Sequence, residues 1–135
     1  MKIKIFKDDY NKSEFYGIIG KYFAERKYRN EMPYMINKDG KVWFVAMKND
    51  EVIGFAAIYI ENKKGMIESN YVEEKHRNNG VFTKLIEKMM DYIGGKVDIL
   101  EIATNKEYLI DFWIKRGFGE SRKKGSYQYL TKEIV

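Results

Sequence analysis

Three consecutive segments of strand character, separated by only a few turn residues, constrain the fold of this chain more than any other feature. Lys41–Lys48 and Val52–Ile60 are apolar on both faces, as buried strands are, and Met66–Val72 follows as a more polar strand. Strands joined by turns as short as Asn49-Asp50 must be antiparallel. The middle of the chain is therefore predicted to form an antiparallel sheet.

Helical and extended patterns alternate on either side of this sheet. The predicted helices span Asn11 or Ser13 to Arg26, Gly80 to Ile93, and Lys106 to Lys115, with a short helix in the otherwise irregular residues 27–40. The remaining strands are predicted at Lys2–Phe6 and Val97–Ala103, with a closing hairpin of Glu120–Arg122 and Ser126–Thr131. A strand–helix–strand unit favours one parallel pair. We therefore expect a mixed α/β fold, with a mostly antiparallel sheet of six to seven strands and helices on both faces. The order of the strands does not follow from this pattern.

The amino-acid composition limits the kinds of catalytic and metal sites that the chain can form. A chain of 135 residues fits a single domain over 1–135. The absence of cysteine excludes disulfides, thiolate zinc sites and a cysteine nucleophile, and a single histidine, His76, argues against a histidine metal cluster, so we expect no metal. The chain shows no signal peptide and no run of about 18 apolar residues, so we expect a cytoplasmic protein with no membrane partner.

A net charge of +5 allows two interpretations. Basic residues alternate with acids along most of the chain, which is typical of a solvated surface. A polyanion such as RNA or DNA is the alternative partner, and Arg122-Lys123-Lys124 is the most basic run that could contact it.

The segment Arg77-Asn78-Asn79-Gly80-Val81 follows a predicted strand and begins a predicted helix. The first amides of a helix lack internal partners and lie at its positive end, so they can bind a phosphate. A glycine lets the phosphate approach, and an arginine adds charge. The pattern is neither the P-loop nor the dinucleotide-binding glycine motif. It predicts either a pyrophosphate site or simply a glycine at a helix start.

Three motifs together resemble the GNAT superfamily of N-acetyltransferases, and the predicted order of elements is similar to that family over essentially the whole chain. The motifs are Val72-x4-Arg77-Asn-Asn-Gly80-Val81-Phe82, then Phe112-Trp113-Ile114-Lys115-Arg116-Gly117-Phe118, and Glu51-Val52-Ile53-Gly54-Phe55. The resemblance implies acetyl-CoA as the cosubstrate and an amine as the acceptor. It also implies a set of cofactor contacts: Tyr71, Val72, Arg77, Asn78, Asn79, Gly80, Val81, Phe82, Thr83, Asn105 and Trp113.

Several of these assignments have alternatives. Phe82 stands where the family usually has Gly or Ala, and its backbone amide can still face a phosphate. Asn105 can instead cap the following helix. Trp113 stands where many members carry the tyrosine that protonates the departing thiolate, and an indole has no such proton to give. Either another group donates the proton, with Tyr108 as the candidate and Tyr71 and Tyr127 as alternatives, or the thiolate leaves unaided.

Glu68 is the candidate general base, because it is an acid within the strand that the resemblance brings close to the acetyl group. The alternative is a carboxylate on the sheet face that pairs with a nearby lysine. Glu73 and Glu74 are expected to be solvated loop charges. The expected function is acetyl transfer to an amine on a small molecule, peptide or protein, by a monomer or homodimer. One alternative is an acetyltransferase for aminoacyl-tRNA. The other is a non-catalytic CoA-binding module, and Trp113 in place of the tyrosine favours this second alternative.

Overall fold

The computed structural model describes residues 1–134 and contains seven strands and four helices. The strands are β1 (Lys2–Phe6), β2 (Lys41–Lys48), β3 (Glu51–Glu61), β4 (Lys64–Val72), β5 (Ile99–Thr104), β6 (Gly119–Lys124) and β7 (Tyr127–Glu133). The helices are α1 (Lys12–Ala24), α2 (Arg26–Glu31), α3 (Val81–Ile93) and α4 (Glu107–Ile114), with a single 3-10 turn at Glu74–His76. All the predicted elements are present.

The strands form one sheet in the order β1-β2-β3-β4-β5-β7-β6. Strands β4 and β5 are parallel, and every other neighbouring pair within the described residues is antiparallel. The parallel pair flanks α3, as the strand–helix–strand pattern predicted. The mixed, mostly antiparallel sheet is thus confirmed. The position of β7 between β5 and β6 is information that the sequence pattern did not contain.

Two apolar cores cover the two faces of the sheet. On one face α3 packs against β2–β4 and α4 packs against β6 and β7. The predicted helical stripe of α3 is buried there: Val81, Leu85, Ile86, Met89 and Ile93. On the other face α1 and α2 bury an aromatic cluster of Phe6, Phe15, Tyr22, Tyr28, Trp43 and Phe55. This three-layer arrangement leaves the carboxyl ends of β4 and β5 between the two layers of helices.

The segment after α1 differs from the prediction. Asn11 caps α1 as expected, since its side chain accepts a hydrogen bond from the Glu14 amide at 3.0 Å. The helix ends at Ala24, however, because Glu25 adopts an extended conformation, and α2 begins one residue later. The chain therefore turns between α1 and the short helix α2, and residues 31–36 lie beside β4 at one cavity.

Close packing explains why the apolar strand β3 contains a glycine, Gly54. A Cβ atom there would lie 3.0 Å from the Tyr71 carbonyl oxygen and 3.2 Å from both Val72 and Val81. Such contacts are too close for any larger residue without a shift of the backbone. The glycine thus allows the end of β4 and the start of α3 to pack directly onto β3.

Candidate active site

A gap between β4 and β5 is the first element of the site. Only Lys64–Met66 of β4 pairs with β5, although β4 continues to Val72. Beyond this point a bulge bends β4: Ser69 has a φ of 54°, and Ser69 and Asn70 together face Ala56 on β3. The backbone edge of β4 that faces the gap is therefore free to pair with an extended ligand, in the manner of an added strand.

The amino terminus of α3 opens beside this gap. Gly80 has a φ of 79°, and no side chain caps the helix through a hydrogen bond. Lys84 donates the first backbone bond, to the Gly80 carbonyl, so the amides of Val81, Phe82 and Thr83 have no partner within the helix. A Cβ atom on Gly80 would meet nothing within 4 Å, so the space before these amides is open. This arrangement suits an anion.

Two arginines flank the start of α3. Arg77 Nε donates to the Val72 carbonyl oxygen at 2.8 Å, which ties the loop to the end of β4. The Arg116 guanidinium lies 3.5 Å from the centre of the Phe112 ring and donates to Thr83 Oγ1 at 3.4 Å. Arg116 was missed in the sequence, because it is distant in the chain and only the packing of α4 against α3 brings it here.

A cavity of about 910 Å³ lies on the opposite side of the gap. Its walls come from residues 31–36, from β4 and β5 beyond their paired region, and from the β6–β7 hairpin. The gap therefore opens on one side to the uncapped amino terminus of α3 and on the other to a large cavity. Two ligands that approach from opposite sides would meet at the bulge in β4.

The sequence matches the model of the acetyltransferase (GNAT) family over residues 6–118. The chain belongs to the GNAT acetyltransferase family. A search of curated proteins found no match.

Solved structures share this GNAT fold over nearly the whole chain. ElaA from Escherichia coli superimposes with a TM-score of 0.76 at 16% identity, over 98% of this chain and 99% of that one. The PaiA N-acetyltransferase from Thermoplasma acidophilum, in complex with coenzyme A, gives 0.69 at 16% identity over 99% and 100% of the two chains. A GNAT acetyltransferase from Elizabethkingia anophelis with acetyl-CoA bound gives 0.67 at 17% identity, over 98% of each chain. At these identities the likeness concerns the fold alone.

Glu68 lines the cavity of this GNAT domain and is held by two lysines. Its Oε1 atom lies 3.1 Å from Lys41 Nζ, and its Oε2 atom lies 3.6 Å from Lys38 Nζ. Lys41 is only 2% exposed and donates to the Ile36 carbonyl at 2.7 Å and to Ser69 Oγ at 3.0 Å. Burial lowers the pKa of Lys41, and Glu68 opposes that shift. The predicted pairing of Glu68 with a lysine is thus present, and its side chain remains 31% exposed.

Glu73 does not behave as the solvated loop charge that was expected. It is half-buried at the end of β4 and accepts a hydrogen bond from the Tyr22 hydroxyl at 3.2 Å. Burial, with the hydrogen bond to Glu73, raises the pKa of Tyr28 to about 12, and burial and Glu73 also raise the pKa values of Tyr22 and Tyr71. The tyrosines come from three different elements, so their convergence on one carboxylate had no signal in the sequence. Glu74 is exposed, as expected.

The other predicted residues fall into different environments. The Trp113 ring is 1% exposed and packs against Phe82, Phe112 and Phe118, so it is a core residue rather than part of an accessible surface. Tyr108 is 66% exposed, in the first turn of α4 after the end of β5. This geometry makes the exposed Tyr108 hydroxyl available to a ligand and leaves no room for one against Trp113.

Asn105 is not a helix cap, and that interpretation was wrong. The residue that caps α4 is Lys106, without a side-chain hydrogen bond, and Asn105 is exposed in the bend before it. The side chain of Asn105 is therefore exposed to solvent at the carboxyl end of β5, where a ligand could contact it. Asn78, with a φ of 65°, and Asn79 form the exposed turn that leads into Gly80.

Within residues 1–134, no cluster of three or more histidine, cysteine or acidic side chains could hold a metal ion. In the same part of the chain, none of the helices is long and apolar enough to cross a membrane.

Proposed function

We propose that this chain is an N-acetyltransferase that moves an acetyl group from acetyl-CoA to an amine by direct attack. The observation that carries the proposal is the uncapped start of α3, which opens at one side of the gap between β4 and β5 while a large cavity opens at the other. Acetyl-CoA and a separate amine acceptor can then meet in the gap, and the acetyl group can pass between them without a covalent enzyme intermediate. The coenzyme A and acetyl-CoA held by two structures of this fold agree with this use of the site.

The residues around α3 fit the phosphates of coenzyme A. The free amides of Val81, Phe82 and Thr83 would bind the pyrophosphate, with help from Arg77 and Arg116. Phe82 contributes only its amide, since its ring packs against Phe112. Backbone groups of Tyr71 and Val72, at the end of β4, would pair with the pantetheine arm and donate to the thioester oxygen. Asn78, Asn79 and Asn105 border the same cleft and complete the proposed contacts, whereas burial removes Trp113 from them.

When bound, acetyl-CoA supplies an acyl group activated as a thioester. The amine nitrogen forms a bond to the carbonyl carbon, the carbon–sulfur bond breaks, and the sulfur leaves as a thiolate. Glu68 takes the proton that the amine loses, because it lines the cavity from the strand that borders the reaction. Tyr108 is proposed to return a proton to the thiolate from the start of α4.

Two other functions remain as alternatives with distinct outcomes. The basic edge strand β6, with Arg122, Lys123 and Lys124 exposed, favours an aminoacyl-tRNA acceptor over a neutral one. A non-catalytic CoA-binding module was favoured by Trp113, but the burial of that ring in the core weakens the argument.

Release of free thiol from acetyl-CoA tests the proposal directly. The purified chain should release thiol in the presence of at least one member of a panel of amino acids, peptides, polyamines, small aromatic amines and charged tRNA. Release with charged tRNA alone would support the nucleic-acid alternative. Binding of CoA by calorimetry without turnover of any amine would refute N-acetyl transfer and support the binding module.

A further inference from the structure

We propose that the acceptor is a primary amine that also carries an anionic group, with an apolar or aromatic body between the two. The amine end would lie at Glu68 and Asn70, and the anionic end at Arg122 and Lys124 on the β6–β7 hairpin. All four residues line the same cavity. This inference rests on the proposed acetyl transfer and names the class of acceptor for that site.

The amine end is defined by two acceptor atoms that have no hydrogen-bond partner. Glu68 Oε1 and Asn70 Oδ1 are both buried and accept no hydrogen bond within residues 1–134, and no buried side-chain donor in those residues lacks a hydrogen-bond partner. Lys41 Nζ forms an ion pair with Glu68 Oε1 at 3.1 Å, and its hydrogen bonds go to the Ile36 carbonyl and Ser69 Oγ. An ammonium group brings three donors and no acceptor. Two acceptors that lack a hydrogen-bond donor, beside the bulge in β4, therefore match an amine, and they would hold it next to the gap.

The middle of the cavity is apolar and adaptable. Met32 and Met35 line it from the segment before β2, and Met66 lines it from β4. The Tyr34 and Tyr127 rings meet edge to face with their centres 6.1 Å apart, which joins the two walls of the cavity across the gap. Flexible methionines and tyrosine rings pack well against an aliphatic or aromatic body. They offer few groups for a polyhydroxylated acceptor.

The charge around the cavity favours an anion at its far end. Three carboxylates line the cavity, and each lies within 4.0 Å of at least one basic side chain: Glu31 with Arg77, Glu68 with Lys38 and Lys41, and Glu101 with Lys64 and Arg122. Lys124 also lines the cavity and forms no ion pair with the described part of the chain. Among the residues that line the cavity, three are acidic and two are basic, and both basic side chains, Arg122 and Lys124, lie on the β6–β7 hairpin, so the positive charge is concentrated at that end. A second ammonium on the acceptor would be repelled, and a carboxylate would be attracted.

Matched acceptors test this charge preference. 4-(2-Aminoethyl)benzoate carries an amine and a carboxylate at opposite ends of a ring, and 4-(2-aminoethyl)benzamide has the same shape without the charge. We expect kcat/KM for the carboxylate to exceed that for the amide by about 10-fold, which corresponds to about 1.4 kcal/mol, and spermidine to be the poorest of the three. The preference should shrink as salt is raised, because the cations are partly exposed.

A double variant tests whether Arg122 and Lys124 cause the preference for the carboxylate acceptor. Arg122→Gln with Lys124→Gln should reduce the ratio of kcat/KM for the carboxylate to kcat/KM for the amide from about 10 to about 1. The control, Lys48→Gln with Lys88→Gln, changes the net charge equally at exposed positions outside the cavity and should keep the preference. Equal or better turnover of the amide or of spermidine by the wild type would overturn the acceptor class while acetyl transfer itself stood. No turnover of any of the three would also overturn it, and the wider amine panel would then decide whether acetyl transfer fails too.

Discussion

Lys41 Nζ lies 3.1 Å from Glu68 Oε1 and joins two walls of the cavity. The same ammonium bonds to the Ile36 carbonyl, which belongs to the segment beside β4, and to Ser69 at the bulge. Its stem lies beside the Trp43 ring, with Nζ 4.6 Å from the ring centre. A buried lysine with this set of partners fixes the position of the proposed base relative to the bulge.

The first prediction concerns the protonation of Lys41. Burial lowers the pKa of Lys41 below its ordinary value of 10.5, so the unfolded chain binds this proton more tightly than the folded chain. Between the two pKa values unfolding takes up a proton, and the lysine's contribution to the free energy of unfolding rises with pH. The difference in this free energy between wild type and Lys41→Met should therefore grow in favour of the wild type as the pH rises towards 10.5. Urea denaturation at several pH values measures it.

The control for this measurement is Lys48→Met, an exposed lysine at the end of β2. Its difference from the wild type should not change with pH. If the difference in free energy of unfolding between the wild type and Lys41→Met is also independent of pH, Lys41 is not desolvated in the folded protein.

A second prediction tests Glu68 as the base. Glu68→Gln keeps the shape and removes the proton acceptor, so kcat should fall by about 10²-fold while CoA affinity stays unchanged. Glu101→Gln is the matched control, because Glu101 lines the same cavity from β5 and is also paired with basic side chains. Steady-state kinetics with the best acceptor checks both variants. Full activity of Glu68→Gln would leave Glu68 as a structural partner of Lys41.

The third prediction concerns the open space before α3. Gly80→Glu would put a carboxylate before the free amides, where it repels phosphate, and CoA binding by calorimetry should be lost. The side chain has room, since a Cβ atom there meets nothing within 4 Å. Gly95→Glu is the matched control, because Gly95 lies just beyond the other end of the same helix, also with a positive φ and open space. Both variants should show a similar loss of thermal stability from the strained backbone, and only Gly80→Glu should lose CoA.

A fourth prediction compares the two arginines of the proposed phosphate site. Arg77→Ala and Arg116→Ala should each weaken CoA binding by about 1.5–3 kcal/mol, the range for hydrogen bonds to a charged group. Arg26→Ala, at the exposed start of α2, should leave affinity unchanged. Calorimetric titration with CoA gives the three values. An Arg116→Ala variant that binds as tightly as the wild type would restrict the site to Arg77.

The fifth prediction concerns the cluster around Glu73. Because burial and Glu73 raise the pKa of Tyr22, the folded protein keeps the Tyr22 proton above pH 10, whereas the unfolded chain loses it near 10.0. The unfolded chain then binds fewer protons, so this contribution to the free energy of unfolding is complete below pH 10 and falls above it. Tyr22→Phe should be less stable than the wild type at pH 8, by about 1–2 kcal/mol, and should lose less stability between pH 8 and pH 11.

Tyr108→Phe serves as the control for this measurement, since Tyr108 is largely exposed. Its stability should follow that of the wild type over the same range of pH. Parallel pH curves for Tyr22→Phe and the wild type would mean that the Tyr22 hydroxyl is accessible to solvent.

The elements that the sequence predicted are those that depend on local periodicity and capping. The α3 stripe from Val81 to Ile93 repeats at helical spacing, and Asn11 caps α1 through the bond that its residue type favours. The boundary at Glu25 was missed, because one extended residue between two helical segments leaves no trace in hydrophobic spacing.

Three features could be derived from the sequence alone, because each depends on residues that are neighbours along the chain: the order of strands and helices, the parallel pair around α3 and the glycine at the helix start. Tertiary structure decided which side chains meet. It brought Lys41 to Glu68, Arg116 to Thr83 and Tyr22 to Glu73, and it buried Trp113 where a family motif alone implied a contact with the cofactor. These pairs are separated by 27 to 51 residues, and their contacts depend on the bulge in β4 and on the packing of helices against the sheet. Local patterns carry no information on such long-range packing, so only the folded chain could reveal it.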